Sequence, residues 1–290
     1  MKITMRGVRG GIASPTPDTA IYGGNTACVE VRTANGILLF LDAGTGLREA
    51  GEQLPASGEA HVCVTHAHMD HFLGLWFFKP VHSPDWTTHL YLPDWLADLP
   101  ERFFQCGLFP VPLDQLAGKI IRHPVSAGEA FHLMPQSGPQ IWDEESGARV
   151  EVFATQHPGG ALGYRVQADK AAFVYTGDHE ITPDPEALAR AAAMLRDTDL
   201  AVVDAQYSRK DYQPGYGHSA WEDWLDAAEL AGARRLLFSH HDPARSDAEL
   251  AALDTLLQGA EGNAAWARAA KDRQCFTLAD GVIGECNFTR

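Results

Sequence analysis

Thr65-His66-Ala67-His68-Met69-Asp70-His71 places four metal-binding side chains within six residues, directly after an apolar run over 61–65. Side chains in extended backbone alternate with period two, so His66 and His68 point the same way and can grip one ion. Asp70 and His71 then turn toward a neighbouring position. Imidazole suits zinc, and a carboxylate completes a harder second site. More distant residues can complete the set. His157 follows a strand-like run, Asp178 sits in Thr176-Gly177-Asp178-His179, and His240 ends the run 235–239. Each lies where a strand stops, and side chains from separate strand ends can converge on one rim.

Around this cluster, strands come first and helices interleave later. Apolar patterning predicts strands over 2–5, 27–32, 36–41, 150–154, 161–167, 171–176 and 235–239, with Ala34-Asn35-Gly36 as a turn. Ser219 and Glu222 make a capping box ahead of Trp221, Trp224, Leu225 and Ala228 at helical spacing, with Gly232 as the stop. Ser246 and Glu249 repeat the box ahead of Leu250, Leu253 and Leu257. Residues 72–135, rich in proline and aromatics, read as an insertion of short helical turns and irregular loops. Trp86 and Phe109 are candidate walls of a lid or pocket, with a packed insertion or dimer contact as the alternative. No glycine- or proline-rich linker divides the chain, which predicts one α/β domain over 1–290.

Composition narrows the function classes. A chain of 290 residues that is 45% hydrophobic can bury a large core. No run approaches the ~18 apolar residues of a membrane span, and residues 1–11 lack the apolar stretch of a secretion signal. A cytoplasmic protein with no membrane partner is expected. Cys28, Cys63, Cys106, Cys275 and Cys286 are scattered without a CxxC pair, so they read as small buried hydrophobes rather than a disulfide framework. The net charge of −15 repels polyanions. It disfavours a long nucleic acid and favours a small-molecule substrate.

HxHxDH followed by a later His, Asp and His resembles the metallo-β-lactamase superfamily over nearly the whole chain. The resemblance implies a four-layer αββα sandwich with two divalent metal ions at one edge. By position, it implies that His66, His68 and His157 hold one ion, that Asp70, His71 and His240 hold the other, and that Asp178 bridges both. His241 is the alternative to His240, which is preferred because it directly ends a strand. Asp42, in Leu41-Asp42-Ala43-Gly44, matches an aspartate that supports the ligands from behind. Zinc is the expected metal, and manganese or iron suits the same donors. Paired ions activate a shared water near neutral pH, so a hydrolase is expected, with Asp70 counted as catalytic as well as a ligand. Oxygen-reducing di-iron members usually carry glutamate at the position of His68.

Tyr216-Gly217-His218-Ser219 resembles the GHS segment of RNase Z and related phosphodiesterases, among them the cyclic-phosphate hydrolase of phosphonate breakdown. Val203-Asp204-Ala205-Gln206-Tyr207 resembles its partner segment. This implies His218 as general acid or phosphate clamp and Asp204 as the group that orients it. Residues 7–11 and 22–26 also resemble the opening of that branch. Glycine there lets backbone approach a ligand closely, with tight-turn packing as the plainer reading. The sequence has no Gly/Lys/Arg-rich arm of the kind RNase Z uses to hold tRNA. A small or cyclic phosphodiester is therefore the expected substrate. The alternatives are tRNA 3′ processing, hydrolysis of a lactone or thioester, and a non-catalytic metal-binding sensor. The resemblance leaves a homodimer open.

Overall fold

Strands that are apolar at successive positions must be covered on both faces, and several strands of this chain are of that kind. The computed structural model describes residues 1–105, 107–135, 147–233, 235–259, 266–279 and 282–286. The chain first lays down β1 (Lys2–Gly7), β2 (Cys28–Arg32), β3 (Leu38–Leu41), β4 (Gly58–Cys63), β5 (Trp86–Pro93) and β6 (Lys119–Val125). It continues through β7 (Ala130–Leu133), β8 (Ala148–Thr155), β9 (Ala161–Ala168), β10 (Ala171–Tyr175), β11 (Leu200–Asp204), β12 (Arg235–Ser239) and β13 (Trp266–Ala269). The last strands are β14 (Cys275–Ala279) and β15 (Val282–Cys286). The helices are α1 (Thr45–Gly51), α2 (Met69–Phe72), α3 (Leu99–Phe103), α4 (Pro185–Leu195), α5 (Trp221–Ala231) and α6 (Asp247–Gly259).

These strands form two sheets, ordered β15-β14-β1-β2-β3-β4-β5-β6 and β13-β12-β11-β10-β9-β8-β7. The sheets face each other across one apolar core. On β3, Leu39 and Leu41 point into it, while Leu38 and Phe40 point outward to a second core. That outer core is closed by Leu47 of α1, Phe72 of α2 and Phe78. On the other sheet, Phe173, Val202 and Leu237 point inward, and Val174, Val203 and Phe238 pack outward with Leu195 of α4 and Trp224 of α5. The result is helix, sheet, sheet, helix, the sandwich the sequence implies. Full burial of side chains such as Phe40 or Leu237 contributes roughly 1.5–3 kcal/mol each.

Strand direction decides where the chemistry sits. β3, β4, β5 and β6 run parallel, as do β10, β11, β12 and β13. Parallel strands end together, and ligands of such sheets gather beyond the carboxyl ends. Asp42, His66, Asp178, Asp204 and His240 all lie at or just beyond such an end.

The predicted strands recur as β1–β3, β8–β10 and β12, with ends shifted by two residues or fewer. Four expectations need correction. Within 72–135 there are short helical turns, but β5 and β6 extend the first sheet and β7 edges the second. Trp86 begins β5 against Gly58, at the opposite end of β4 from the histidines, and is buried, while Phe109 packs on Trp76, Phe103 and Phe104. Both are packing residues rather than lid walls. Ser219 does not cap α5: its hydroxyl donates to the His179 carbonyl, and the N-cap position is Ala220. Gly232 does stop that helix in the left-handed conformation, and Ser246 with Glu249 closes its box. Cys28 and Cys63 are buried thiols, but Cys275 and Cys286 form a disulfide because they face each other in register across β14 and β15. Cys106 lies outside the described residues.

Candidate metal centre

The site is built backwards from Asp42. This fully buried aspartate sits just past β3 at φ 63°, a left-handed conformation uncommon for a residue with a side chain. Its carboxylate accepts from the Thr65 N–H (2.8 Å), the Thr65 hydroxyl (3.1 Å), His71 Nδ1 (2.6 Å) and the Tyr175 hydroxyl (2.7 Å). One carboxylate thus ties the ends of β3, β4 and β10 together.

Each histidine is oriented by what its Nδ1 holds. His66 Nδ1 donates to Thr65 Oγ1 (2.9 Å), His71 Nδ1 to Asp42, His157 Nδ1 to the Gly217 carbonyl (2.9 Å) and His240 Nδ1 to Gln206 Oε1 (3.1 Å). That pattern leaves Nε2 of all four rings as a lone pair. Two glycines permit the approach. A Cβ on Gly10 would fall 2.2 Å from the His240 ring, and one on Gly217 would fall 2.1 Å from His157 Nδ1.

The free atoms meet around Asp178, which follows β10. Asp178 Oδ2 is 3.5 Å from His66 Nε2 and 3.8 Å from His157 Nε2, and the latter is 3.1 Å from His68 Nδ1. Asp178 Oδ1 is 3.2 Å from His71 Nε2 and 3.3 Å from His240 Nε2. Both of those nitrogens lie 3.2–3.3 Å from Asp70 Oδ2, which also accepts the Gly11 N–H at 2.7 Å. Donors of His66, His68, His157 and Asp178 all fall within 4.8 Å of one another, as do those of Asp70, His71 and His240. Most of these spacings are near the ~3.3 Å edge of a tetrahedron with ~2.0–2.1 Å bonds, the dimensions of a zinc site. All seven predicted ligands are therefore together. His241 is not: it is fully buried and its Nε2 donates to the Ala270 carbonyl at 2.9 Å.

The donor set fits a cation. His66 Nε2 and Asp178 Oδ1 are buried without a hydrogen-bond partner, a costly state that a cation relieves. Burial, reinforced by neighbouring imidazoles, pushes His66 well below the usual histidine value and lowers His68, and burial lowers His157 as well. Burial works against the Asp178 anion, yet His240, His71 and His66 keep it well below the usual carboxylate range. Burial would lower His71 as well, but the Asp178, Asp70 and Asp42 carboxylates outweigh it and push that ring well above the usual histidine value. Carboxylates that draw positive charge this strongly, beside the neutral His66, His68 and His157, make a receptor for a cation.

His218 stands beside the cluster, its ring stacked on His240 at 4.7 Å. Its Nδ1 lies 2.9 Å from Asp204 Oδ2. Burial opposes its protonation, but the adjacent Asp204 carboxylate outweighs it and lifts the ring to about 9.

Sequence reasoning passed over Thr65, Gln206 and Glu180. Glu180 is buried, and it accepts from the Tyr212 hydroxyl (2.6 Å), Gly215 N–H (2.8 Å) and Gly217 N–H (2.9 Å). It thereby pins the loop that carries His218 and orients His157. Its only signal was an acid two residues after Asp178.

Residues 38–241 match the family described as the β-lactamase superfamily domain. Ribonuclease Z of Mycobacterium marinum (strain ATCC BAA-535 / M) is 28% identical over 247 residues, spanning 81% of this chain and 85% of that protein. Among solved structures, a diphosphatase from the PhnP family superposes with a TM-score of 0.67 at 18% identity, covering 96% of this chain and 97% of the other. The short form of human tRNase Z superposes at 0.64 and 19% identity, covering 96% and 99%. At such identities the structural likeness speaks for the fold.

Proposed function

This chain belongs to the metallo-β-lactamase superfamily, and within it we propose a metal-dependent phosphodiesterase acting on a small or cyclic phosphodiester. The observation that carries the reading is the His218–Asp204 pair, 2.9 Å apart, beside a His/Asp cluster with metal-ligand spacing. In this reading His66, His68 and His157 would hold one divalent ion, Asp70, His71 and His240 would hold a second, and Asp178 would serve both. Zinc is the expected ion. Two such ions supply water activation and neutralisation of phosphate charge near neutral pH.

The chain's own residues do the rest. Asp42 and Thr65 lock His71 and His66 in the tautomer that presents Nε2. Asp70 lies with Nε2 of His71 and His240 on one side of Asp178, placed to take a proton from the attacking water. As water attacks phosphorus, the ester P–O bond breaks and its electron pair leaves with the oxygen. His218, anchored through Nδ1, gives its other proton to that oxygen, and Asp204 balances the charge on the ring beforehand.

The relatives named for tRNA processing support a second reading, a tRNA 3′ endonuclease. Against it stand the −15 net charge and the lack of a basic arm in the sequence. The test is a substrate panel with the metal-supplied protein: bis(4-nitrophenyl) phosphate, a 2′,3′-cyclic nucleotide, a thioester, a lactone and a 3′-extended tRNA precursor. Turnover of the small diesters is expected. Untouched diesters with an active thioester or lactone would reject the phosphodiesterase, and cleavage confined to the tRNA precursor would favour the endonuclease.

A further inference from the structure

The short segment 8–11 touches two of the proposed ligands, and both are assigned to the same ion. The Val8 carbonyl accepts the His241 N–H at 2.9 Å, and the Gly10 N–H donates to the His241 carbonyl at 3.0 Å. Gly10 lies against the His240 ring, and the Gly11 N–H holds Asp70. Asp70, His71 and His240 form one donor group. The ligands assigned to the other ion are oriented from elsewhere, His66 by Thr65 and His157 by the Gly217 carbonyl.

Arg9 stands in the middle of this segment and is fully buried. Its Nε donates to the Gly23 carbonyl (2.8 Å), and its Nη1 donates to the carbonyls of Asp242 (3.1 Å) and Arg245 (2.6 Å). Its Nη2 is buried without a hydrogen-bond partner. Burying such a cation is costly, and an apolar side chain of similar length would fill the space without that cost. What an apolar side chain would not do is gather carbonyls from two segments. Residues 242–245 continue directly from His240, whose φ of 56° is left-handed. A residue with a side chain keeps that conformation only where its surroundings over-determine it. Gln206 fixes the His240 ring at Nδ1 and Gly10 leaves room for it. Arg9 fixes the backbone that follows.

We propose that Arg9 is a positioning residue for His240. By clamping the 242–245 turn to Gly23, it holds that histidine, and with it the site of the ion assigned to Asp70, His71 and His240. The proposal rests on the two-ion reading of the centre, and it makes the two halves unequal. The molecule carries its own control. Arg165 makes the same kind of clamp, donating to the carbonyls of Met194 (3.0 Å), Arg196 (2.7 Å) and Asp197 (3.2 Å). That clamp lies ahead of β11, at the end of the strand away from Asp204.

The test compares Arg9→Met and Arg9→Lys with Arg165→Met in the full chain. Zinc affinities are measured by competition with a chelator, and the ions are located by anomalous diffraction from crystals grown with zinc. Arg9→Met is expected to weaken one of the two ions by about tenfold or more, the scale for losing a group that orients a ligand. The peak among Asp70, His71 and His240 should fade while the other stays. Lysine keeps the charge but is a point donor, so Arg9→Lys should give a smaller loss at the same ion. It decides alone if Arg9→Met does not fold. Arg165→Met should lower stability and keep both ions. Both ions weakened alike, both kept at full affinity, or an equal loss in Arg165→Met overturns the role. If the unsubstituted chain binds fewer than two ions, the two-ion reading itself fails, and crystals of the Arg9 variants decide. A His240 ring moved off Gln206 upholds the role, and an unmoved ring overturns it.

Discussion

Two groups of histidines lie on the same sheet and do opposite things. Beyond the end of β4, His66, His68 and His71 join His157 and His240, with Nε2 lone pairs converging and two buried polar atoms unanswered. Lower on β4–β6, His61 and His89 stack at 4.9 Å and His89 and His123 at 5.1 Å. There both nitrogens of His61 and His89 have partners. His89 Nδ1 meets His123 Nε2 at 2.8 Å, His61 Nδ1 meets the Tyr91 hydroxyl at 3.3 Å, and Glu59 stands 3.4 and 3.5 Å from the remaining Nε2 atoms of His61 and His89. Among the described residues, the donor groups that close to within 4.8 Å all lie at this strand end, one of them joining Asp178 and His240 to the neighbouring Asp204 and His218. Histidine density does not make a metal centre. What makes one is a set of rings each held by one nitrogen so that the other has nowhere to go but a shared point.

That contrast can be broken from either side. Asp178→Ala removes the carboxylate both halves share, so metal content by mass spectrometry should fall from two ions toward none and turnover to background; two retained ions would rule out the bridge. His218→Ala should keep both ions but slow turnover by ~10²–10⁴, the usual scale for losing a general acid. An unchanged rate would remove it from the mechanism. Glu180→Ala frees the loop behind His157 and His218 and leaves the buried Gly217 N–H unpaired. We expect a rate loss of roughly 10–100-fold, and a loss of about 1–3 kcal/mol in denaturant unfolding; neither change would mean the loop holds without it. His89→Ala belongs to the self-satisfied cluster, so it should shift stability by about 1 kcal/mol and leave metal content and rate alone. Loss of an ion there would erase the distinction between the two groups.

The clustering of these residues was legible because their signal is local: HxHxDH is contiguous, and His157, Asp178 and His240 each follow an apolar run. Choosing His240 over His241 rested on which residue directly ends β12. The structure shows why that works, since His241 points back to the Ala270 carbonyl. Glu180 and Gln206 were missed because their work is done through contacts 32–37 residues away, as in the Glu180 bonds to Tyr212 and Gly217 and the Gln206 bond to His240. Residues 72–135 misled because aromatic and proline content marks irregular chain, while β5 owes its place to parallel pairing with β4 and β6. The disulfide escaped for the same reason: Cys275 and Cys286 are paired by strand register, which a search for short cysteine motifs does not see.

The central claim is that seven side chains hold two cations on opposite sides of one carboxylate. Anomalous diffraction from crystals grown with zinc tests it most directly. Two peaks are expected, one among His66, His68 and His157, the other among Asp70, His71 and His240, with Asp178 between them. A single peak, or density at Glu59, His61 and His89 with the strand-end cluster empty, would contradict it.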